Sequence, residues 1–283
     1  MAKAFSIASW NVEHFGATPK GKTKPTKPID PIFDFLASQN ADVVAVYEVV
    51  GSIIYDTISA KMPGYHFHIT EGPQTQEILV GVKKKFSSFF SQKVTFKSGA
   101  AALRPGALLT LRIDGQNYPL LFLHLKSLSV PKGFGLRDDM IDRLIKLRKA
   151  LNKHEAKTTG FAEANFVALG DLNTMGMNLT YNDKDISGVE EIERLRNRLA
   201  ISSVSMELLD KNAPATYWPG SPSTYEPSDL DHVLAASHLE FKNFGGVSVD
   251  VRGWVDKGTD AQRNAWAKKF SDHALLYCEV QKV

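Results

Sequence analysis

Six short polar motifs, each at one end of an apolar run, constrain this chain more than any other feature. They are Ser9-Trp10-Asn11, Tyr47-Glu48, His124-Leu125-Lys126-Ser127, Gly170-Asp171-Leu172-Asn173, Leu230-Asp231-His232 and Ser271-Asp272-His273. Short continuous apolar runs read as strands buried on both faces. A packed sheet brings strand ends from distant parts of a sequence to one edge, so these motifs are predicted to meet there. Together they hold the carboxylates of Glu48, Asp171, Asp231 and Asp272, the amides of Asn11 and Asn173, and the imidazoles of His124 and His273. Hard oxygen donors beside imidazoles suit an Mg²⁺-class ion and general acid/base chemistry on a phosphate ester.

The apolar runs predict strands over residues 5–11, 43–47, 78–82, 107–113, 120–124, 166–170, 230–235 and 274–280. Helices are predicted over 31–38, with Asp30 as N-cap, over 52–61, and over 136–154. In the last, Met140, Ile141, Leu144, Leu147 and Leu151 recur at helical spacing, opposite Arg137, Asp138, Arg143, Lys146 and Lys149. Asp114-Gly115 between two β-like runs reads as a hairpin turn. Pattern alone gives a layered α+β or α/β protein.

Length and composition narrow the class. A chain of 283 residues has room for two domains, but one motif set spread over both halves favours a single domain, 1–283. With 43% apolar and 23% charged residues it can bury a two-layer core. No run approaches the roughly 18 apolar residues of a membrane span. The first strand leads directly into the first motif, which leaves no room for a removable signal peptide, so a cytoplasmic location is expected, or secretion if a leader has been removed. The single cysteine, Cys278, excludes an intrachain disulfide. Net charge is +3, which permits a polyanionic substrate without demanding one. The basic residues cluster, however: Lys20, Lys22, Lys24 and Lys27 in one loop, and Lys83, Lys84 and Lys85 after the strand 78–82. If both clusters flank the motif mouth they hold phosphates; otherwise they are solvated surface.

The ordered series Trp-Asn, Glu, His, Gly-Asp-x-Asn, Asp, Ser-Asp-His resembles the endonuclease/exonuclease/phosphatase superfamily over almost the whole chain. That group includes deoxyribonuclease I, exonuclease III, neutral sphingomyelinases and inositol polyphosphate 5-phosphatases. The resemblance implies an α/β (α+β) four-layer sandwich, two facing mixed β-sheets with helices outside. It implies metal ligation by Glu48, with Asn11 and Asp272 beside the ion, which is Mg²⁺ or Mn²⁺, with Ca²⁺ also compatible. It makes Asp171 the group that orients and deprotonates the attacking water, and Asn173 a donor to the phosphate. His273 is expected to be oriented by Asp231, and His124 to pair with Glu77.

Lys126 and the Lys83–Lys85 run are the expected substrate-binding cations. Two positions depart from the family pattern: Tyr47 stands where many relatives have Gln, and His232 replaces the usual aromatic. His14, His66, His68 and His154 match no ligand spacing and read as surface or packing residues. Tyr217-Trp218 and Thr224-Tyr225 stack a base, shape a substrate loop or anchor it. The resulting expectation is a divalent-metal-dependent nuclease acting on DNA, as a monomer without membrane contact. The alternatives are a phosphatase or phosphodiesterase for a small or lipid phosphate ester (phosphoinositide or sphingomyelin type), and a non-catalytic nucleic-acid-binding module.

Overall fold

The computed structural model describes residues 2–18, 27–50, 52–72, 76–97, 103–179, 181 and 184–282. Two mixed six-stranded sheets are built from them. The first contains β1 (Lys3–Asn11), β2 (Val43–Val49), β3 (Tyr65–Ile69), β4 (Glu77–Lys83), β11 (Asp250–Arg252) and β12 (Leu275–Gln281), in the order β11-β12-β1-β2-β4-β3. The second contains β5 (Ser87–Lys93), β6 (Gly106–Ile113), β7 (Gln116–His124), β8 (Val167–Asp171), β9 (Met206–Leu208) and β10 (Asp231–Ala236), in the order β5-β6-β7-β8-β10-β9. The helices are α1 (Ile29–Ser38), α2 (Ser52–Lys61), α3 (Pro131–Thr158), α4 (Gly188–Leu199) and α5 (Asp260–Lys269).

Burial on both faces explains why the strands read as unbroken apolar runs. Alternate residues of a strand point to opposite faces, and here each face meets a different core. Leu120, Phe122, Val167, Leu169 and Val233 join the core between the sheets, with Ile7 and Ala45 of the first sheet. Their neighbours Leu121, Leu123, Ala168 and Leu234 pack instead with Met140 and Leu144 of α3 and Leu195 and Leu199 of α4. Ile32, Phe33 and Leu36 of α1 and Trp266 of α5 belong to the core of the first sheet. The layers are therefore helix, sheet, sheet, helix, the four-layer sandwich that the motif series implied.

Register brings the motif ends together. β1 and β2 run parallel with Asn11 opposite Tyr47, and β7 and β8 run parallel with His124 opposite Asp171. β10 is antiparallel to β8 and sets Asp231 opposite Asp171, so a motif that starts a strand meets one that ends a strand. β12 likewise runs antiparallel to β1, which returns Ser271-Asp272-His273 to the end where Asn11 lies.

Some element boundaries depart from expectation for local reasons. α1 begins at Ile29 behind Pro28, whose side chain caps nothing, and Asp30 sits inside the first turn, paired with Lys61 at 3.1 Å. α3 starts five residues earlier than the apolar period indicates, because Pro131 fits the first turn, where a missing N–H goes unnoticed. The 114–115 turn forms as expected, both residues having positive φ and joining β6 to β7.

Candidate active site

Local backbone geometry aims Glu48 at the mouth. The ladder between β2 and β4 shifts register between Val46 and Val49, and Glu48 takes a left-handed φ of 61°. Its Oε2 accepts from the His14 backbone N–H at 3.0 Å and from Gln76 Nε2 at 2.6 Å. His14 Nδ1 lies 3.1 Å from the same oxygen. Tyr47, the residue before it, crosses between the sheets: its hydroxyl shares a 2.9 Å hydrogen bond with Ser9 and donates to the Leu169 carbonyl at 3.3 Å. The adjacent Gly170 has φ of 140°, and a Cβ there would lie 2.0 Å from the Leu123 carbonyl and 2.8 Å from the Tyr47 hydroxyl. Glycine is thus required where the first tyrosine and the last turn of β8 meet.

Asp171 occupies the centre of the site. Its Oδ2 accepts from Asn11 Nδ2 at 2.8 Å, and its Oδ1 from the Asn173 backbone N–H at 3.0 Å. His124 Nε2 lies 3.4 Å and His273 Nε2 3.9 Å from Oδ2. Burial and the neighbouring Asp231 push the Asp171 carboxyl up to about 7, against the opposing pull of His273 and Asn11. The Asn11 amide also reaches Glu48 Oε1 at 3.4 Å, while its own Oδ1 is buried without a hydrogen-bond partner among the described residues. Asn173 spends one side-chain N–H on the Leu125 carbonyl at 3.2 Å.

The two imidazoles sit in opposite electrostatic settings. His273 Nδ1 lies 2.8 Å from Asp231 Oδ2. Burial disfavours its charge, but Asp231, Asp171 and Asp272 prevail and hold its pKa well above the ordinary histidine value. His124 is held well below that value by burial first and then by Arg104, His273 and Lys126, which favours the neutral ring. Three contacts secure the segment carrying Asp272 and His273: Trp10 Nε1 donates to the His273 carbonyl at 2.9 Å, Ser271 Oγ donates to the Asn11 carbonyl at 2.6 Å, and Ser271 Oγ accepts the His273 N–H at 3.0 Å. Asp272 is raised by burial and by the negative charges of Glu13 and Glu48, against His273 and Lys27.

Several expected placements are corrected. Glu77 does not pair with His124: its carboxylate accepts from Thr70 Oγ1 at 2.6 Å, and His124 Nε2 instead faces Asp171 and, at 3.6 Å, Glu48. His124 Nδ1 is buried without a hydrogen-bond partner among the described residues. The lysine run lies at the wrong end of the sheet. β4 is antiparallel to β2 with Val82 opposite Val43, so Lys83–Lys85 emerge about 20 Å from Glu48, six residues of strand away. There Lys83 and Lys85 pair with buried Asp42 at 3.4 and 3.0 Å.

Of the other cluster, Lys20, Lys22 and Lys24 lie outside the described residues, and Lys27 is buried against Glu13 at 2.7 Å. Lys126 is half-buried beside the site and contributes to the field on His124. His232 is structural: its Nε2 meets Thr174 Oγ1 at 2.8 Å and its Nδ1 Lys211 at 3.2 Å. Replacing Lys83, Lys84 and Lys85 together by Gln is therefore expected to leave the salt dependence of activity unchanged. It should lower unfolding stability by about 1–3 kcal/mol through the loss of charged partners to Asp42. A flattened salt slope in initial-rate titrations would restore the lysines to the substrate path.

Four residues at or around the site carry no sequence signal. His14 and Gln76 reach Glu48 only through loop geometry. Arg104 precedes β6 as a lone arginine, yet it feels the charges of Glu48, Asp171 and Glu77, and its Nε is buried without a hydrogen-bond partner among the described residues. Arg137 was expected on the outer face of its helix, but it is buried. All of its N–H-bearing nitrogens bond inward, to Glu191, to the carbonyls of Lys126 and Leu128 after His124, and to Gly176 beyond Asn173. Glu191 also accepts the Gly176 N–H at 2.7 Å, so one buried ion pair braces both loops that flank the site.

Asp171, Asp231 and His273 form a buried group whose ligand atoms lie within 4.8 Å of one another. A cavity of about 730 Å³ opens over Glu48, His124, Asp171 and His273. Among the described residues, no helix is long and apolar enough to cross a membrane.

Comparison with known proteins agrees with this geometry. A sequence model of the Endonuclease/Exonuclease/phosphatase family matches residues 8–273. No curated protein gives a significant sequence match. Among solved structures, truncated Caenorhabditis elegans TDP2 is 17% identical, with 98% of this chain and 97% of that one covered at a TM-score of 0.64. D. rerio TDP2 complexed with single strand DNA product is 15% identical, covering 98% and 99% at 0.64. The human Nocturnin catalytic domain with bound sulfate anion is 15% identical, covering 98% and 93% at 0.57. At these identities the likeness shows a shared fold.

Proposed function

The chain belongs to the endonuclease/exonuclease/phosphatase family, and on that premise we propose that it is a divalent-metal-dependent nuclease that hydrolyses phosphodiester bonds in DNA by in-line attack of water. The observation that carries this reading is the convergence of Asn11, His124 and His273 on the Asp171 carboxylate, with Asp231 behind His273. A phosphodiester resists attack because its oxygens repel the nucleophile and its alkoxide leaves poorly. The site holds groups matched to each difficulty.

The residues fit a hard cation. The unpartnered, buried Asn11 Oδ1 and the carboxylates of Glu48 and Asp272 are oxygen donors of the type that Mg²⁺ or Mn²⁺ takes. Asp231 and His273 are less suited to ligation, since they spend their facing atoms on each other at 2.8 Å. When bound, the cation would neutralise phosphate oxygens and stabilise charge on the leaving oxygen.

The protein's own groups supply the rest. Asp171, with its carboxylate held at both oxygens, orients the water and takes its proton. His273, oriented by Asp231, donates to the phosphate. The neutral His124 offers a second donor, and Asn173 retains one amide N–H beyond its bond to Leu125. A second reading, hydrolysis of a small phosphate ester, is favoured by one observation: no Lys or Arg lines the cavity among its described residues.

The test is incubation with supercoiled plasmid, linear duplex, single strand, abasic duplex and small phosphate esters, each with Mg²⁺, Mn²⁺ or chelator. Cleavage of DNA is expected with either metal and none in chelator. Full cleavage by metal-stripped protein would sink the metal assignment. Turnover of small esters alone would replace the nuclease reading with the second one.

A further inference from the structure

The floor and the walls of the catalytic cavity differ in chemistry. Its floor is acid and imidazole, whereas Met175, Val189, Ile192, Tyr217 and Tyr225 make its walls neutral. The charged wall residue Asp229 is already neutralised by Lys211. About 730 Å³ lies within the roughly 300–1,000 Å³ of cavities that enclose a small organic group.

Two wall residues are unfavourably placed for a site that holds only a phosphate. Tyr225 is 77% exposed and Val189 76%, and both line the same cavity from different segments. Tyr217 lies deeper, its ring 5.2 Å from the His273 ring and tilted by 58°. The cavity is thus lined by one ring exposed to solvent and another beside the imidazole assigned to the phosphate.

Resting on the nuclease reading above, we propose that this wall is a stacking subsite for one unpaired nucleobase beside the scissile phosphate, with Tyr225 and Tyr217 selecting single-stranded DNA over duplex interior. A second strand would bring further phosphates into a wall that has no lysine or arginine among its described residues to receive them. A base inside a duplex must also leave its stack before a side-chain ring can reach its face, whereas a base in a single strand is already available. Every base has such a face, so the subsite tolerates any sequence.

The experiment measures binding by fluorescence anisotropy, with the full chain in Mg²⁺ and hydrolysis-resistant phosphorothioate oligonucleotides. Three ligands are compared: a single strand, an abasic strand of the same length and charge, and the duplex. Phosphate contacts are the same for both strands, so their affinity ratio reports the bases alone. The base-bearing strand should bind about tenfold more tightly than the abasic one, the scale of a single base–aromatic stack.

Tyr225→Ala should bring that ratio close to one, and Tyr225→Trp should keep it. A ratio near one in the wild type, an unchanged ratio in Tyr225→Ala, or tighter binding of duplex than of strand would overturn the subsite. Hydrolysis of DNA without base discrimination removes the subsite and leaves the nuclease reading standing. Base discrimination without hydrolysis of any DNA does the reverse.

Discussion

Asp171→Asn is expected to lower kcat on DNA by about 10²–10⁴-fold while leaving substrate binding nearly intact, the signature of losing a positioned base. The substitution keeps the shape of the side chain and its bond from the Asn173 N–H, but removes the group that takes the proton. The pH profile carries the same information. Burial pushes the Asp171 carboxyl up to about 7 in the metal-free protein, and only the ionised form accepts a proton. Turnover should therefore fall as pH drops through that region, and a bound cation should move the limb to lower pH by favouring the carboxylate. Glu48→Gln should instead raise the metal concentration needed for half-maximal rate, because it removes a ligand charge. Single-turnover kinetics and metal titrations check both. Near-normal turnover in Asp171→Asn, or unchanged metal dependence in Glu48→Gln, would remove the roles assigned to them.

His273→Ala should cost about 10²-fold or more in kcat, the scale for a positioned donor. The 2.8 Å contact to Asp231 makes the two residues one device. Asp231→Asn should therefore reproduce most of that loss, and the double variant should be little worse than His273→Ala alone. Losses that multiply across the double-mutant cycle would show that Asp231 acts elsewhere. His124, whose pKa burial and the nearby cations hold well below the ordinary histidine value, predicts a different pattern for its alanine variant: reduced turnover with the basic side of the pH profile unchanged.

Much of the architecture was legible because its strands are buried on both faces. Each of the eight predicted strands is present, five of them extended by one to four residues and those predicted over 166–170, 230–235 and 274–280 shifted by one residue. The edge strands β3 and β5 were not legible, since half-exposed positions and residues such as His66, Ser87 and Ser91 break the apolar run. α4 and α5 were missed, α5 for want of an apolar period, whereas α4 carries a short one in Val189, Ile192, Leu195 and Leu199. Their starts were nonetheless written in the chain, as the capping boxes Ser187 with Glu190 and Thr259 with Gln262. Arg137 was misassigned to the solvent face because a guanidinium is usually exposed. Burial became tolerable only once Glu191 and three carbonyls from other segments had satisfied its donors.

The sequence by itself determined which residues stand at strand ends and what chemistry they bring, because both follow from local polarity and order along the chain. Which end of a sheet each residue occupies was decided only by strand direction. The antiparallel pairing of β2 with β4 carries Lys83–Lys85 away from the mouth while it brings Gln76 and Glu77 towards it. Which partner each side chain meets was decided by register across the two sheets and by the left-handed turn at Glu48, which set His124 on Asp171 and Glu48. Such contacts join residues far apart in the chain, and their distances come from the packing of whole layers, which no local run of residues encodes.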